Sequence, residues 1–120
     1  MNDRRVVVTG IGALTPIGNN LNEYWRALVN GVSGAAPITH FDASKFKTQF
    51  ACELKGFDAK DFIPPKEARK LDKFSQYALV VTDEAIKDSK LDKTLINPDR
   101  AGVVWGSGIG GMETFFNESI

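Results

Sequence analysis

Cysteine and histidine are almost missing from this chain of 120 residues, which has one of each, Cys52 and His40. A lone cysteine cannot close an internal disulfide. One imidazole and one thiol cannot fill a tetrahedral metal site without carboxylates that no spacing here supplies. A surplus of charge is missing too: 15 Lys and Arg oppose 15 Asp and Glu, so no global field draws the protein to nucleic acid or an anionic membrane, and charge-based recognition has to be local. Apolar runs are far shorter than the ~20 residues needed to cross a bilayer. The opening MNDRRVVVTG also lacks the apolar core of a secretory signal. These absences lead to the expectation of a soluble, cytoplasmic protein with no metal, no nucleic-acid partner and no membrane partner.

What remains is the ordinary balance of a globular domain, 42% hydrophobic and 25% charged. The adjoining β-branched residues of Arg5–Val8 suit a strand covered on both faces, as in a parallel sheet. TGIGALTPIG then breaks it. Asn20 and Glu23 have capping-box spacing, and Leu21, Trp25, Leu28 and Val32 form the stripe of a helix that stops at Gly31. Residues 32–62 read as a long loop with a half-exposed strand, in which Phe46, Thr48, Phe50 and Cys52 alternate with polar or small neighbours. Pro64 and Pro65 suit a helix start. Beyond them Ala68, Leu71, Phe74, Ala78, Val81 and Ala85 describe one amphipathic helix, or two with a break near Asp72. AGVVW (101–105) reads as a second buried strand, followed by GSGIGG and the beginning of a helix. Strands alternating with helices predict an α/β protein, and two buried strands are too few for a parallel sheet to stand alone. The expected architecture is therefore the beginning of a larger layered fold, incomplete as a sheet on its own.

Three features are candidates for chemistry. Gly106–Gly111 matches G-x-G-x-x-G between a strand and a helix, where glycines let backbone approach a pyrophosphate and a helix N-terminus face negative charge. A nucleotide-binding α/β module is therefore one reading; a tight turn with close packing is the other. No lysine follows, which excludes a triphosphate P-loop. The earlier TGIGALTPIG has Thr15 at the third glycine position and reads as a structural turn. The second feature is PPKEARKLDKF, where Lys66, Arg69, Lys70 and Lys73 fall at i, i+3, i+4 and i+7. On a helix they form a cationic stripe that suits an acidic partner, or equally an ordinary solvated face. The third is the pair of rare residues themselves. His40 reads as a loop histidine, and Cys52, alternating with Phe46 and Phe50, as a small buried hydrophobe.

Taken in order, RRVVVTGIGALTPIGN, the W-x-x-L helix ending in NGVSG, HFDAS, KEARKLDKFSQYAL and AGVVWGSGIGGM resemble the N-terminal part of the β-ketoacyl-acyl-carrier-protein synthases of type II fatty-acid synthesis. The resemblance runs through essentially the whole chain. It implies a thiolase-like fold, a homodimer and decarboxylative Claisen condensation, in which a cysteine thioester is attacked by the carbanion of malonyl-carrier protein. It implies no nucleotide cofactor and no metal. By the resemblance, the nucleophilic cysteine and two histidines belong to later segments, and neither Cys52 nor His40 matches them, so residues 1–120 alone are expected to be inactive. Lys66, Arg69 and Lys70 match the basic residues that grip acyl carrier protein, with Lys73 only a neighbour. Ile109 matches a residue lining the acyl pocket near the dimer boundary. The early segments of polyketide ketosynthases are alike, so a fragment of such an enzyme is the near alternative.

Overall fold

The computed structural model describes residues 4–120, apart from the side chain of residue 93. The chain divides into two compact units: Ala13–Asp58, and a second formed by the chain up to Gly12 together with Ala59–Ile120.

In Ala13–Asp58 the first helix, α1 (Leu21–Val29), is bounded as its sequence predicts. Asn20 caps it by accepting the Glu23 amide at 2.9 Å, and the Glu23 carboxylate reaches back to the Asn19 amide, also at 2.9 Å. This satisfies two donors that the first turn leaves free. The accepted Asn19 amide, followed by the Asn20 contact, holds the Glu23 carboxyl below its ordinary range. At the other end Gly31 takes φ +65, so that Gly31 N–H reaches the Leu28 carbonyl and Val32 N–H the Ala27 carbonyl, a Schellman closure. The stripe itself is not covered within this unit: Trp25 and Leu28 are exposed.

The loop ahead of α1 closes where Thr15 and Gly18 exchange backbone hydrogen bonds across Pro16–Ile17. A side chain at Gly18 would run into the Tyr24 amide at 2.3 Å, so this glycine lets the turn sit against α1. Two short strands, β1 (Ala36–Pro37) and β2 (Phe50–Ala51), pair antiparallel with Ala36 opposite Ala51. The predicted strand is thus only two residues long, and its alternation does not form. Residues 46–50 are all exposed, Ala51 and Glu53 are half-buried, and Cys52 is exposed. Alternate burial needs one covered sheet face, and without it Cys52 is not the buried hydrophobe that alternation suggested. Length is supplied by side chains instead of a ladder. The Glu53 carboxylate accepts the amide and hydroxyl of Thr39, the latter at 2.7 Å, and the amide of His40.

In the other unit the two predicted strands do not form. Arg5–Val8 and Ala101–Trp105 belong to no sheet among the described residues, and Val6 and Val104 are 91% and 100% exposed. Their β-branched composition favours extension, but a strand also needs neighbours to take up its amides and carbonyls. The segment after Arg5–Val8 is held differently. Ile11 N–H donates to Asp88 at 2.9 Å, and added side chains at Gly10 and Gly12 would meet the Ala85 and Val81 carbonyls at 2.2 and 2.0 Å. These glycines, read from sequence as turn residues, therefore let the chain lie flat on a helix.

That helix, α3 (Lys73–Ser89), is preceded by the short α2 (Pro65–Ala68), so of the two readings, one helix or two with a break near Asp72, the second holds. Ala59, Ile63, Ala68 and Val80 form the small buried core of this unit. Leu71, Phe74, Ala78, Val81 and Ala85 are half-buried, as the three-and-four spacing requires. The chain ends in α4 (Met112–Glu118), entered from the glycine loop.

The Thr39 hydroxyl, more than any other contact, depresses the Glu53 carboxyl. A depressed carboxyl contributes stability that is present above its unfolded value and is lost as pH falls through the folded one. The carboxyl resonance of Glu53 is expected to titrate with a midpoint below the ordinary glutamate range, with the Thr39 amide following it. A midpoint at or above the ordinary value, or an unresponsive Thr39 amide, would show that this staple is not formed.

Candidate functional site

Pro64 and Pro65 start α2 without sacrificing a helical hydrogen bond, because the first N–H groups of a helix have no intrahelical partner. One turn later Ala68 is buried at 5% exposure, which turns Lys66, Arg69 and Lys70 outward. All three are exposed, and none makes an ion pair among the described residues. The continuous stripe expected through Lys73 does not form. The backbone becomes extended at Asp72 (φ −60, ψ 155) before α3 begins, and Lys73 turns away to pair with Glu113 at 3.0 Å. Breaking the helix frees carbonyls, and Gln76 takes up two of them, donating to Ala68 at 2.8 Å and Leu71 at 3.0 Å. The basic turn is therefore tied to the helix that follows it.

The glycine loop lies on the same side of this unit. Residues of the basic turn, the start of α3 and the start of α4 line a common cleft of about 270 Å³ that includes Arg69, Asp72, Phe74, Gly110 and Thr114. Within the loop Gly110 has φ +76, a conformation that suits glycine, and its N–H donates to the Ser107 hydroxyl at 3.2 Å. Gly111 is required by proximity, since a side chain there would lie 2.6 Å from the Asp72 carboxylate. Gly106 and Gly108 meet nothing within 4 Å. Ile109 is 78% exposed between these constrained neighbours.

This geometry counts against a nucleotide phosphate. The place at the start of α4 where an anion would sit is already taken by the Asp72 carboxylate, which accepts the Thr114 hydroxyl. A phosphate brought there would meet a fixed like charge. An apolar groove of about 820 Å³ also lies in this unit, between Thr9–Gly12, α3 and Val103–Trp105. Its walls include Ala101–Trp105 but none of Arg5–Val8.

The rare residues form no catalytic set. His40 is exposed with Nε2 3.9 Å from Glu53, Cys52 is a free, exposed thiol, and no cluster of metal-ligating side chains occurs among the described residues. No helix among them is long and apolar enough to cross a membrane. The residues that sequence reading passed over are Asp72 as an acceptor, Thr114, Glu113 and Gln76. The break near Asp72 was the one signal pointing to them, because their contacts span loops that no local spacing reveals.

Comparison with known proteins agrees with this arrangement. Residues 3–119 match the family described as Beta-ketoacyl synthase, N-terminal domain. The chain is 50% identical over 113 residues to 3-oxoacyl-[acyl-carrier-protein] synthase 2 of Staphylococcus aureus (strain COL), covering 94% of this chain and 27% of that protein. It is 48% identical over 110 residues to the Synechocystis synthase of the same name, covering 92% and 26%. Among solved structures it resembles the ishigamide ketosynthase/chain length factor, with a TM-score of 0.66 and 35% identity over 76% of this chain and 23% of that one. It also resembles a type II polyketide ketosynthase solved with its acyl-carrier protein, with a TM-score of 0.56 and 28% identity over 79% and 24%. The chain belongs to the β-ketoacyl synthase family and carries the thiolase-like α/β fold of its N-terminal domain. It spans about a quarter of the length of the curated relatives it matches.

Titration of the protein with NAD or NADP is expected to give no saturable binding by calorimetry. A saturable signal that disappears in Gly110→Ala would restore the phosphate reading of the glycine loop.

Proposed function

We propose that residues 1–120 form the carrier-docking and acyl-pocket portion of a 3-oxoacyl-[acyl-carrier-protein] synthase that elongates fatty acids by decarboxylative condensation. The observation that supports this most is the basic turn: Lys66, Arg69 and Lys70 project from one exposed turn, beside Glu67 but without an ion pair among the described residues, on a chain whose net charge is zero. An acidic helix of acyl carrier protein would supply the missing charge, steering encounter and fixing orientation. Fatty-acid elongation is favoured over polyketide synthesis by identity. The matched 3-oxoacyl-[acyl-carrier-protein] synthases are 48–50% identical, while the type II polyketide ketosynthase structure is 28% identical.

In this reading the residues present here bind and position substrate, and the thioester-forming cysteine and its two histidines come from other parts of the enzyme. No nucleotide or metal is needed for the condensation, because loss of carbon dioxide from malonyl-carrier protein itself generates the carbanion. Ile109 lines the acyl pocket and limits the space for the growing chain. Homodimer formation belongs to the same reading, supported by the exposed apolar side chains of Ile109, Met112, Phe115 and Phe116 on the loop and α4. A cytoplasmic setting accords with a single free thiol.

In an active synthase bearing these residues, Lys66→Glu, Arg69→Glu and Lys70→Glu together are expected to raise KM for carrier-borne substrate on the order of tenfold or more, with the difference narrowing in high salt. Unchanged KM would remove docking from this turn. Ile109→Phe is expected to shorten the acyl chains accepted in a product profile, and an unaltered profile would remove Ile109 from the pocket.

A further inference from the structure

Asp72 stands at the N-cap of α3, where an aspartate ordinarily accepts an amide of its own helix. It makes no such bond. Its carboxylate instead accepts the hydroxyl of Thr114, 42 residues further along, in the first turn of α4. Beside it, Lys73 pairs with Glu113, also in that first turn, at 3.0 Å. Two consecutive residues at the start of α3 thus hold two consecutive residues at the start of α4, and a local cap has been given up for the longer connection.

Each end of this connection leads to one of the two functional features. Toward the chain start, Gln76 fixes the carbonyls of Ala68 and Leu71, so the turn carrying Lys66, Arg69 and Lys70 moves with the start of α3. Toward the chain end, Gly111 lies so close to Asp72 that no side chain fits between them, and Gly110 rests over Phe74 of α3. Gly110 N–H in turn donates to the Ser107 hydroxyl, which leaves Ile109 inside a loop closed on itself and held to α3 on its α4 side.

We infer that Asp72 and Thr114 form a clasp that couples carrier-protein docking at the basic turn to the setting of Ile109, making both of them positioning residues for acyl-chain entry. This rests on the docking reading given above. Docking pulls on Lys66, Arg69 and Lys70; the α2–α3 turn transmits the displacement; the clasp carries it to the first turn of α4 and hence to the loop. A clasp of this kind acts on substrate delivered by a carrier protein and is indifferent to the same acyl chain on a free pantetheine thiol, which does not touch the basic turn.

The test compares kcat for one acyl chain presented on carrier protein and on free pantetheine, in an active synthase bearing residues 1–120. In Thr114→Val the advantage of the carrier-borne substrate is expected to fall on the order of tenfold, the usual size of a coupling between sites, while KM for the carrier-borne substrate stays as it was. Thr114→Ser keeps the hydroxyl and is expected to restore the advantage. Asp72→Ala, which removes the acceptor, is the second variant, and the double substitution is expected to be no worse than either single one. An undiminished advantage in Thr114→Val or Asp72→Ala overturns the clasp while docking stands, provided that charge reversal at Lys66, Arg69 and Lys70 still raises KM. Unchanged KM on charge reversal overturns docking and the clasp with it.

Discussion

The carboxylate of Asp72 is the constraint on which the functional face depends. It leaves its own helix uncapped and accepts the Thr114 hydroxyl at the start of α4, while the backbone at Asp72 takes the extended step that separates α2 from Lys73. Without that step, Lys66, Arg69, Lys70 and Lys73 would share one helical stripe, and Lys73 would face outward with the rest. With it, three cations remain on one exposed turn and the fourth is spent on Glu113. Selection of three from four is therefore a backbone effect. A surface ion pair such as Lys73 with Glu113 contributes only about 0–1 kcal/mol, so its value lies in where it directs the lysine.

The two compact units differ in how they are held. Ala13–Asp58 depends on polar closures: a reciprocal cap, a Schellman ending and a glutamate that staples two loop strands of two residues each. The unit containing α3 depends on apolar contact and close approach, with a small alanine, isoleucine and valine core and glycines laid against helical carbonyls. Neither has a large, fully buried side chain among the described residues. Long β-branched segments remain in the open because a single extended segment has no ladder to join. Membership of a family whose curated members are several times longer accords with that condition.

Local signals in the sequence were legible wherever a residue acts on its own neighbours. Asn20 with Glu23, Gly31 as a helix stop, Pro65 as a helix start and the break near Asp72 all stand in the structure where the sequence put them. Signals that depend on distant partners were not legible. The strands at Arg5–Val8 and Ala101–Trp105 have the right composition and no neighbours, and Cys52 lies exposed with Phe46 and Phe50 because no local spacing tells which face is covered. The glycine loop shows the same limit from the functional side. Its pattern fits a phosphate, yet the deciding group is a carboxylate from another helix, which no motif includes. The order of segments along the whole chain, more than any one of them, pointed to the condensing enzymes.

The central claim is that these residues receive and orient a carrier-borne acyl chain for a condensation whose chemical groups lie elsewhere in the enzyme. Its most direct test is 3-oxoacyl product formation from acyl thioester and malonyl-carrier protein, measured side by side for a synthase bearing residues 1–120 and for the isolated 120-residue chain. The account predicts product from the first and none from the second. Product, or release of carbon dioxide from malonyl-carrier protein, by the isolated chain would contradict it.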